Sequence, residues 1–311
     1  MPRHQDDARD RPYGRRAVNT ILDSPTRPFV ARWDLVVDGD GFSTHSSHLL
    51  PVLHDGLPAM LKVARSDEER RGNSVMVSWD GRGAARVLEH DGPAVVLERA
   101  TGPRSLTAQA TDGAGSLRWT LADARATRVL CTVTRDLHAV GASDAVRSTD
   151  LVPLDRWFRD LLVSAGTHRG FVRRAATTAR DLLDERRDTV VLHGDVHHAN
   201  VLDFGDAAAP RWKAIDPKGL VGDRAFDYAN MLCNPTHGVA LLPGRLERQV
   251  EVVAHAAGLG TERLLRWVVA WTGLSAVWFS AAGPGWMSSA ARDDSTASVL
   301  AVGRTAEELL R

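Results

Sequence analysis

Two cysteines, Cys131 and Cys233, are too few for a disulfide framework and suit a reducing cytosol. Net charge is missing too. The 39 basic residues are balanced by 39 acidic ones, so no global field draws the chain to nucleic acid or a membrane surface. Residues 1–27 contain no apolar run; rich in Arg, Asp and Pro, they read as a flexible tail and not as a secretory signal. One uncharged run, Trp267 to Ala291, has the length of a bilayer span. Thr272, Gly273, Ser275, Ser280 and Gly283-Pro-Gly-Trp286 interrupt it, and no asymmetry of positive charge flanks it, so a buried helix ending near Gly283 is expected. Lysine is the scarcest basic residue: only Lys62, Lys213 and Lys218 stand among the 39, the other 36 being arginine. A chain that almost always chooses Arg keeps Lys at 62, which points to a compact point charge there. At 311 residues, with ordinary hydrophobic content, the chain is long enough for two lobes around a sizeable core.

One stretch organises the rest. Residues 190–202 read Val-Val-Leu-His-Gly-Asp-Val-His-His-Ala-Asn-Val-Leu, and 212–217 read Trp-Lys-Ala-Ile-Asp-Pro. Asp195, Asn200 and then Asp216 on an apolar strand are the parts of a phosphoryl-transfer site. Asp195 is the candidate base for an attacking hydroxyl, and Asn200 and Asp216 are the candidate Mg²⁺ ligands. Two close carboxylates would repel, which favours one neutral amide ligand. Mg²⁺ needs few protein oxygens when phosphates and water supply the others. Strands at Thr189–Leu192 and Arg211–Ile215 should pin both ends of the loop. A zinc reading of His193, His197 and His198 is the rival, but no further ligand follows at a recognisable spacing.

Ahead of the loop, short strands alternate with turns. Trp33–Val37, Leu49–Leu53 and Ala59–Ala64 read as strands, with turn signals at Asp38-Gly-Asp-Gly41 and His54-Asp-Gly56. Lys62 lies mid-strand between apolar neighbours, where a lysine gripping nucleotide phosphates is expected. Ser66-Asp-Glu-Glu69 opens the next helix and offers Glu68 and Glu69 as candidate carboxylate partners. Either Glu could instead serve the helix dipole alone. Ser46 and Ser47 lie on a hydroxyl-rich hairpin able to hold phosphate oxygens, though polar residues are common in turns. Helical spacing follows over Leu121–His138, Leu154–Leu162, Phe171–Leu183, Glu247–Ala257, Thr261–Ala282 and Ala291–Leu310.

The loop resembles that of the aminoglycoside phosphotransferases, and a wider set of segments resembles the streptomycin 6-phosphotransferases. These segments are Thr44–Ser47, Leu57–Arg65, Trp79–Val87, Leu192–Gly205, Ala214–Pro217, Phe226–Asn230, Leu242–Leu246, Glu262–Trp267 and Ala270–Ala276. The likeness runs from Arg32 nearly to the C-terminus. It implies an α+β, bilobal protein-kinase-like fold: a small N-terminal β-sheet lobe with one helix, and a larger, mainly helical C-terminal lobe. The implied divisions are the tail 1–27, a nucleotide-binding lobe 28–97, a hinge 98–103 and a catalytic and substrate-binding lobe 104–311. Through Gly72 and Trp79 the resemblance selects Glu69 as the partner of Lys62, with Glu68 in reserve, and it adds the Glu98 carbonyl and Ala100 N–H as adenine contacts. A Gly-rich phosphate loop is replaced by Phe42–Ser47, a departure from protein kinases shared with the streptomycin kinases.

The activity implied is transfer of the ATP γ-phosphoryl, with Mg²⁺, to the 6-hydroxyl of the streptidine ring of streptomycin, conferring resistance. A cytoplasmic monomer without nucleic-acid or membrane partners goes with it. The acceptor carries guanidinium groups, which suits an acidic and partly aromatic pocket. Residues 181–230 hold ten Asp/Glu against six Lys/Arg. Asp227 is either a substrate ligand or a brace for the catalytic loop. Trp271 and Trp278, seven apart on one helical face, are either core or a stacking surface for the cation. A kinase for another aminoglycoside or small amine, and a nucleotide-binding protein without turnover, are the alternatives.

Overall fold

The computed structural model describes residues 16–17, 25–140, 150–164, 166, 169–185, 187–281 and 288–311. The chain forms two compact units. The smaller comprises the described residues up to Arg70 together with Leu88–Arg99; the larger comprises Arg71–Val87 and the chain from Ala100 onward.

In the smaller unit the described strands make one antiparallel sheet. Its order is Arg16–Ala17, Phe42–Ser43, Ser47–His54, Leu57–Ala64, Ala94–Glu98, Val87–Asp91, with Val36–Val37 also paired to Ser47–His54. The predicted Asp-Gly hairpin is present. Asp55 and Gly56 both take positive φ, 51° and 75°, and the strands meet in register from His54↔Leu57. Alternation along Leu57–Ala64 sends Ala59, Leu61 and Val63 into the core with Leu50, Val52 and Val96. Lys62 therefore projects from the opposite face.

Trp33–Val37 does not form the full strand its alternation suggests. A helix, Arg27–Arg32, starts with Pro28 in its first turn, and Trp33 caps it. Asp34 then takes φ 47°, which no strand accommodates, so pairing is confined to Val36–Val37. Phe29, Val30 and Trp33 pack against the sheet's core, and that burial is what makes the extra helix worthwhile.

The larger unit surrounds two small sheets with helices. Leu220–Asp223 lies between Val152–Pro153, parallel to it, and Thr189–Leu192, antiparallel; Val201–Asp203 pairs with Trp212–Ala214. The helices expected from periodicity appear as Leu117–Val140, Phe171–Asp184, Arg245–Ala257, Thr261–Ala281 and Ser289–Leu309. Leu154–Leu162 is not one helix. It divides into Leu154–Trp157 and Arg159–Ser164 about Phe158, which is fully buried edge-on to Phe226.

Thr261–Ala281 has the length and composition of a membrane span, but most of it is buried inside the unit. It packs against Phe171–Asp184 on one side and Ser289–Leu309 on another. The expected helix end near Gly283 lies outside the described residues, as does most of the tail 1–27.

Candidate active site

The strand Thr189–Leu192 delivers the chain to His193 and Gly194. Gly194 has φ 81°, and a Cβ there would lie 2.7 Å from Leu220 Cδ1, so only glycine makes this turn without strain. The turn is held from below by Asp227. Its buried carboxylate accepts the His193 amide at 2.9 Å, the Gly194 amide at 2.7 Å and His138 Nε2–H at 2.8 Å. Among the described contacts, Asp227 thus braces the loop.

His193 ties the loop to the Asp216 segment. Its Nε2–H donates to the Ile215 carbonyl at 2.9 Å, and its Nδ1 accepts the Asp195 amide at 3.2 Å. Both roles require the neutral ring. Burial supplies it, pushing the His193 pKa down against the upward pull of Asp227, Asp195 and Asp216. Trp79 stacks on the imidazole with centroids 6.1 Å apart. Because both ring nitrogens are engaged, His193 is not available to zinc. Among the described residues no cluster of three or more His, Cys, Asp or Glu is arranged to hold a metal.

Asp195 presents a carboxylate that is 25% exposed. Asn230 Nδ2 donates to its Oδ1 at 2.8 Å, while Asn200 Nδ2 donates to its carbonyl at 3.0 Å and to Oδ2 at 3.3 Å. His197 Nε2 lies 3.8 Å from Oδ2. Asn200 Oδ1 accepts no hydrogen bond from the described residues. The Ile215 amide donates to the Asn200 carbonyl at 2.9 Å, which brings Asp216 next to the loop. Asp216 has φ 64° and a carboxylate one-third exposed, with Lys218 Nζ 3.8 Å from Oδ2. Asp195, Asn200 and Asp216 are thus gathered around one imidazole.

The resembling segments support this loop from outside it. Residues 83–85 pair with Ala214, the Ala85 amide donating to its carbonyl and the Ala214 amide to Gly83, each at 2.9 Å. Gly72 is where the helix Asp67–Trp79 passes closest, for a Cβ there would sit 2.2 Å from the Pro217 carbonyl oxygen. Asp203, not singled out by the sequence reading, is buried and accepts the Gly205 amide at 2.8 Å and the Arg211 amide at 3.0 Å. Burial opposes its charge, but those amides and Arg104 outweigh it and hold the pKa below the usual carboxylate range. The Asp-x-Gly string at 203–205, typical of such side-chain turns, was its only signal. Asn230 was missed as well, though it closes the Phe226–Asn230 segment.

In the smaller unit Lys62 Nζ lies 2.5 Å from Glu69 Oε2, with side chains 8% and 2% exposed. Glu69, the partner the family resemblance selects, thus meets the lysine. Ser47 Oγ–H donates to the same Glu69 oxygen at 3.0 Å. The amides of Ser46 and Ser47 donate to Thr44 Oγ1 at 3.3 and 3.0 Å, so this turn is closed by its own hydroxyl. Glu98 ends its strand opposite Ala59. Ala100, in the larger unit, has an N–H with no hydrogen-bond partner among the described residues. Trp271 is nearly buried on the helix Thr261–Ala281; its Nε1–H donates to Asn230 Oδ1 at 3.1 Å. Trp278 instead donates to Asp160 at 2.9 Å.

The sequence of residues 32–283 matches the family described as aminoglycoside/hydroxyurea antibiotic resistance kinase. The chain is similar to a streptomycin 3''-kinase of Klebsiella pneumoniae, 45% identical over 80% of this chain and 90% of the relative. It is similar, at 34% identity over 64% of this chain and 62% of the relative, to a streptomycin 6-kinase of Streptomyces griseus. Among solved structures it resembles a thermostable mutant of aminoglycoside phosphotransferase APH(4)-Ia in ternary complex with ADP and hygromycin B. The TM-score is 0.54 at 12% identity, covering 91% of this chain and 98% of the other, which is a likeness of protein-kinase-like fold.

Proposed function

The chain belongs to the aminoglycoside/hydroxyurea antibiotic resistance kinase family, and from that starting point we propose that it transfers the γ-phosphoryl group of ATP to a hydroxyl of streptomycin. The attacking hydroxyl oxygen bonds to the γ-phosphorus, the bond to the β–γ bridging oxygen breaks, and ADP leaves. Asp195 takes the hydroxyl proton on its partly exposed carboxylate. Lys62, steadied by Glu69, holds phosphate oxygens, and the Glu98 carbonyl and Ala100 N–H take the adenine. Ser46 remains the phosphate candidate of the hairpin, while Ser47, through its bond to Glu69, helps fix the lysine's partner.

The donor set suits Mg²⁺. Asn200 offers an oxygen that has no hydrogen-bond partner among the described residues and Asp216 a partly exposed carboxylate, leaving other positions to phosphate and water. Mg²⁺ bound there would offset charge on the transferring group. A cytoplasmic location goes with the reading, in keeping with free, buried Cys131 and Cys233, as does action as a monomer on a small cationic molecule.

The observation that carries the substrate is the 45% identity extending over most of a streptomycin kinase. It favours the 3''-hydroxyl over the 6-hydroxyl that the motif resemblance suggested, since identity to the 6-kinase is lower and covers less. Mass spectrometry of streptomycin incubated with protein and MgATP should show addition of one phosphate, and NMR of the product reads the position. Phosphorylation of hydroxyurea or another aminoglycoside in place of streptomycin would move the substrate reading. No ADP with any acceptor would end the kinase reading.

A further inference from the structure

A carboxylate that serves as a base has two oxygens, and something must decide which one meets the substrate. Here the two are not equivalent. Oδ1 of Asp195 accepts a 2.8 Å hydrogen bond from Asn230; among the described residues Oδ2 has Asn200 at 3.3 Å and His197 at 3.8 Å. We infer that Asn230, locked in one orientation by Trp271, is the positioning residue that turns the Asp195 carboxylate and leaves Oδ2 as the proton acceptor. The inference rests on Asp195 being the base proposed above.

The lock follows from hydrogen-bond chemistry. An amide can be turned end for end, exchanging its donor and acceptor. The Trp271 indole N–H is a donor only, and at 3.1 Å it fixes the Asn230 oxygen on its side. Asn234 Nδ2 donates to that same oxygen at 3.1 Å, and its other contact, the Asn230 carbonyl at 3.0 Å, can only accept. Two donors therefore hold Asn230 Oδ1. Its NH₂ group must then face the acceptor-only carboxylate of Asp195. A flipped amide would set oxygen against carboxylate and NH₂ against an indole N–H, losing three hydrogen bonds at once.

Trp271 is itself placed by packing. Its ring is edge-on to Phe226 at 5.8 Å and to Trp278 at 5.8 Å, on a buried helix face. A line of contact thus runs from the aromatic core through an indole and an amide to the base. It also gives Trp271 a use apart from stacking on substrate. The donor on Oδ1 occupies that oxygen and fixes the plane of the carboxylate, leaving Oδ2 turned toward the acceptor.

Three variants test this: Asn230→Ala, Asn230→Asp and Trp271→Phe, with streptomycin as acceptor. Asn230→Ala should lower kcat about tenfold or more with KM for ATP little changed. Asn230→Asp should lower kcat further, because a second carboxylate then faces the first in place of a donor. Trp271→Phe keeps the ring and removes only the N–H. Its kcat should fall severalfold, with no additional loss when combined with Asn230→Ala. Wild-type kcat in Asn230→Ala would overturn the inference, as would an equal loss in kcat and in affinity for ATP, or additive losses in the double variant. If Asn230→Ala does not fold, Trp271→Phe alone decides by kcat against KM for ATP.

A measurement without substrate separates this inference from the proposed activity. In ¹⁵N NMR the Trp271 Nε1–H resonance should shift in Asn230→Ala and, through Asn230, in Asp195→Asn. If it does while streptomycin is not phosphorylated, the positioning line stands and the activity fails. If streptomycin is phosphorylated and the resonance ignores both substitutions, the positioning line fails.

Discussion

His138 and Asp227 stand 89 residues apart in the chain, and the ring Nε2–H of one donates to the carboxylate of the other at 2.8 Å. That contact joins the end of the helix Leu117–Val140 to the group beneath the catalytic loop. Asp227→Ala would leave three buried donors, the His193 and Gly194 amides and the His138 ring, without an acceptor. At about 1–3 kcal/mol for each such group, urea unfolding should register a loss of at least about 3 kcal/mol, together with lost turnover. His138→Phe removes a single donor and should cost markedly less. Equal losses in the two variants would contradict this division of labour.

The Lys62–Glu69 pair is almost fully buried. Glu69→Ala breaks this buried ion pair and should destabilise by roughly 3–5 kcal/mol in thermal or urea unfolding. The double variant Lys62→Met/Glu69→Leu removes both charges and should recover much of that loss without recovering activity. Lys62→Arg keeps the charge but replaces a compact ammonium with a planar fork, and should lose most turnover.

Burial lowers the pKa of His193 below the usual 6.5 and that of His198 well below it, Arg245 and His197 adding to the effect at His198. The unfolded chain therefore binds protons near pH 6.5 that the folded protein refuses. Stability from this source is complete above that value and declines as pH falls toward the folded-state values. The limiting slope is about 1.4 kcal/mol per pH unit for each histidine. Both ring nitrogens of His198 are buried with no partner among the described residues. His198→Leu should thus reduce the acid slope at little cost in stability at neutral pH, and stability curves at several pH values will show whether it does. His193→Leu, which loses the Asp195 amide and Ile215 carbonyl contacts, should destabilise at every pH.

Gly72 offers a steric test. A methyl group there meets the Pro217 carbonyl oxygen at 2.2 Å, whereas one at Gly238 meets nothing within 4 Å. Gly72→Ala should cost about 1–3 kcal/mol and lower kcat by shifting the segment that carries Asp216. Gly238→Ala should leave activity near that of the unmodified protein.

Much of this could be read along the chain because it is local. The Asp-Gly hairpin, the alternation that sets Lys62 apart from Ala59, Leu61 and Val63, and the long helices all follow from backbone preferences and periodicity within a few residues. The loop from His193 to Asn200 was legible for the same reason, since its groups lie five to seven positions apart. Trp33–Val37 misled because alternation says nothing of Asp34's positive φ or of the helix that Phe29 and Val30 anchor.

What the sequence by itself determined is the inventory and the local turns: a scarce lysine in a strand, an acidic helix start, an Asp and an Asn across a tight loop. Tertiary structure alone decided the partners. Ser47 on a carboxylate, Asp227 under two amides, and Asn230 between an indole and Asp195 are pairings across 22 to 41 residues. The reason is physical: a hydrogen bond depends on distance and direction in space, and those are set only once the cores have packed and removed water from around the groups.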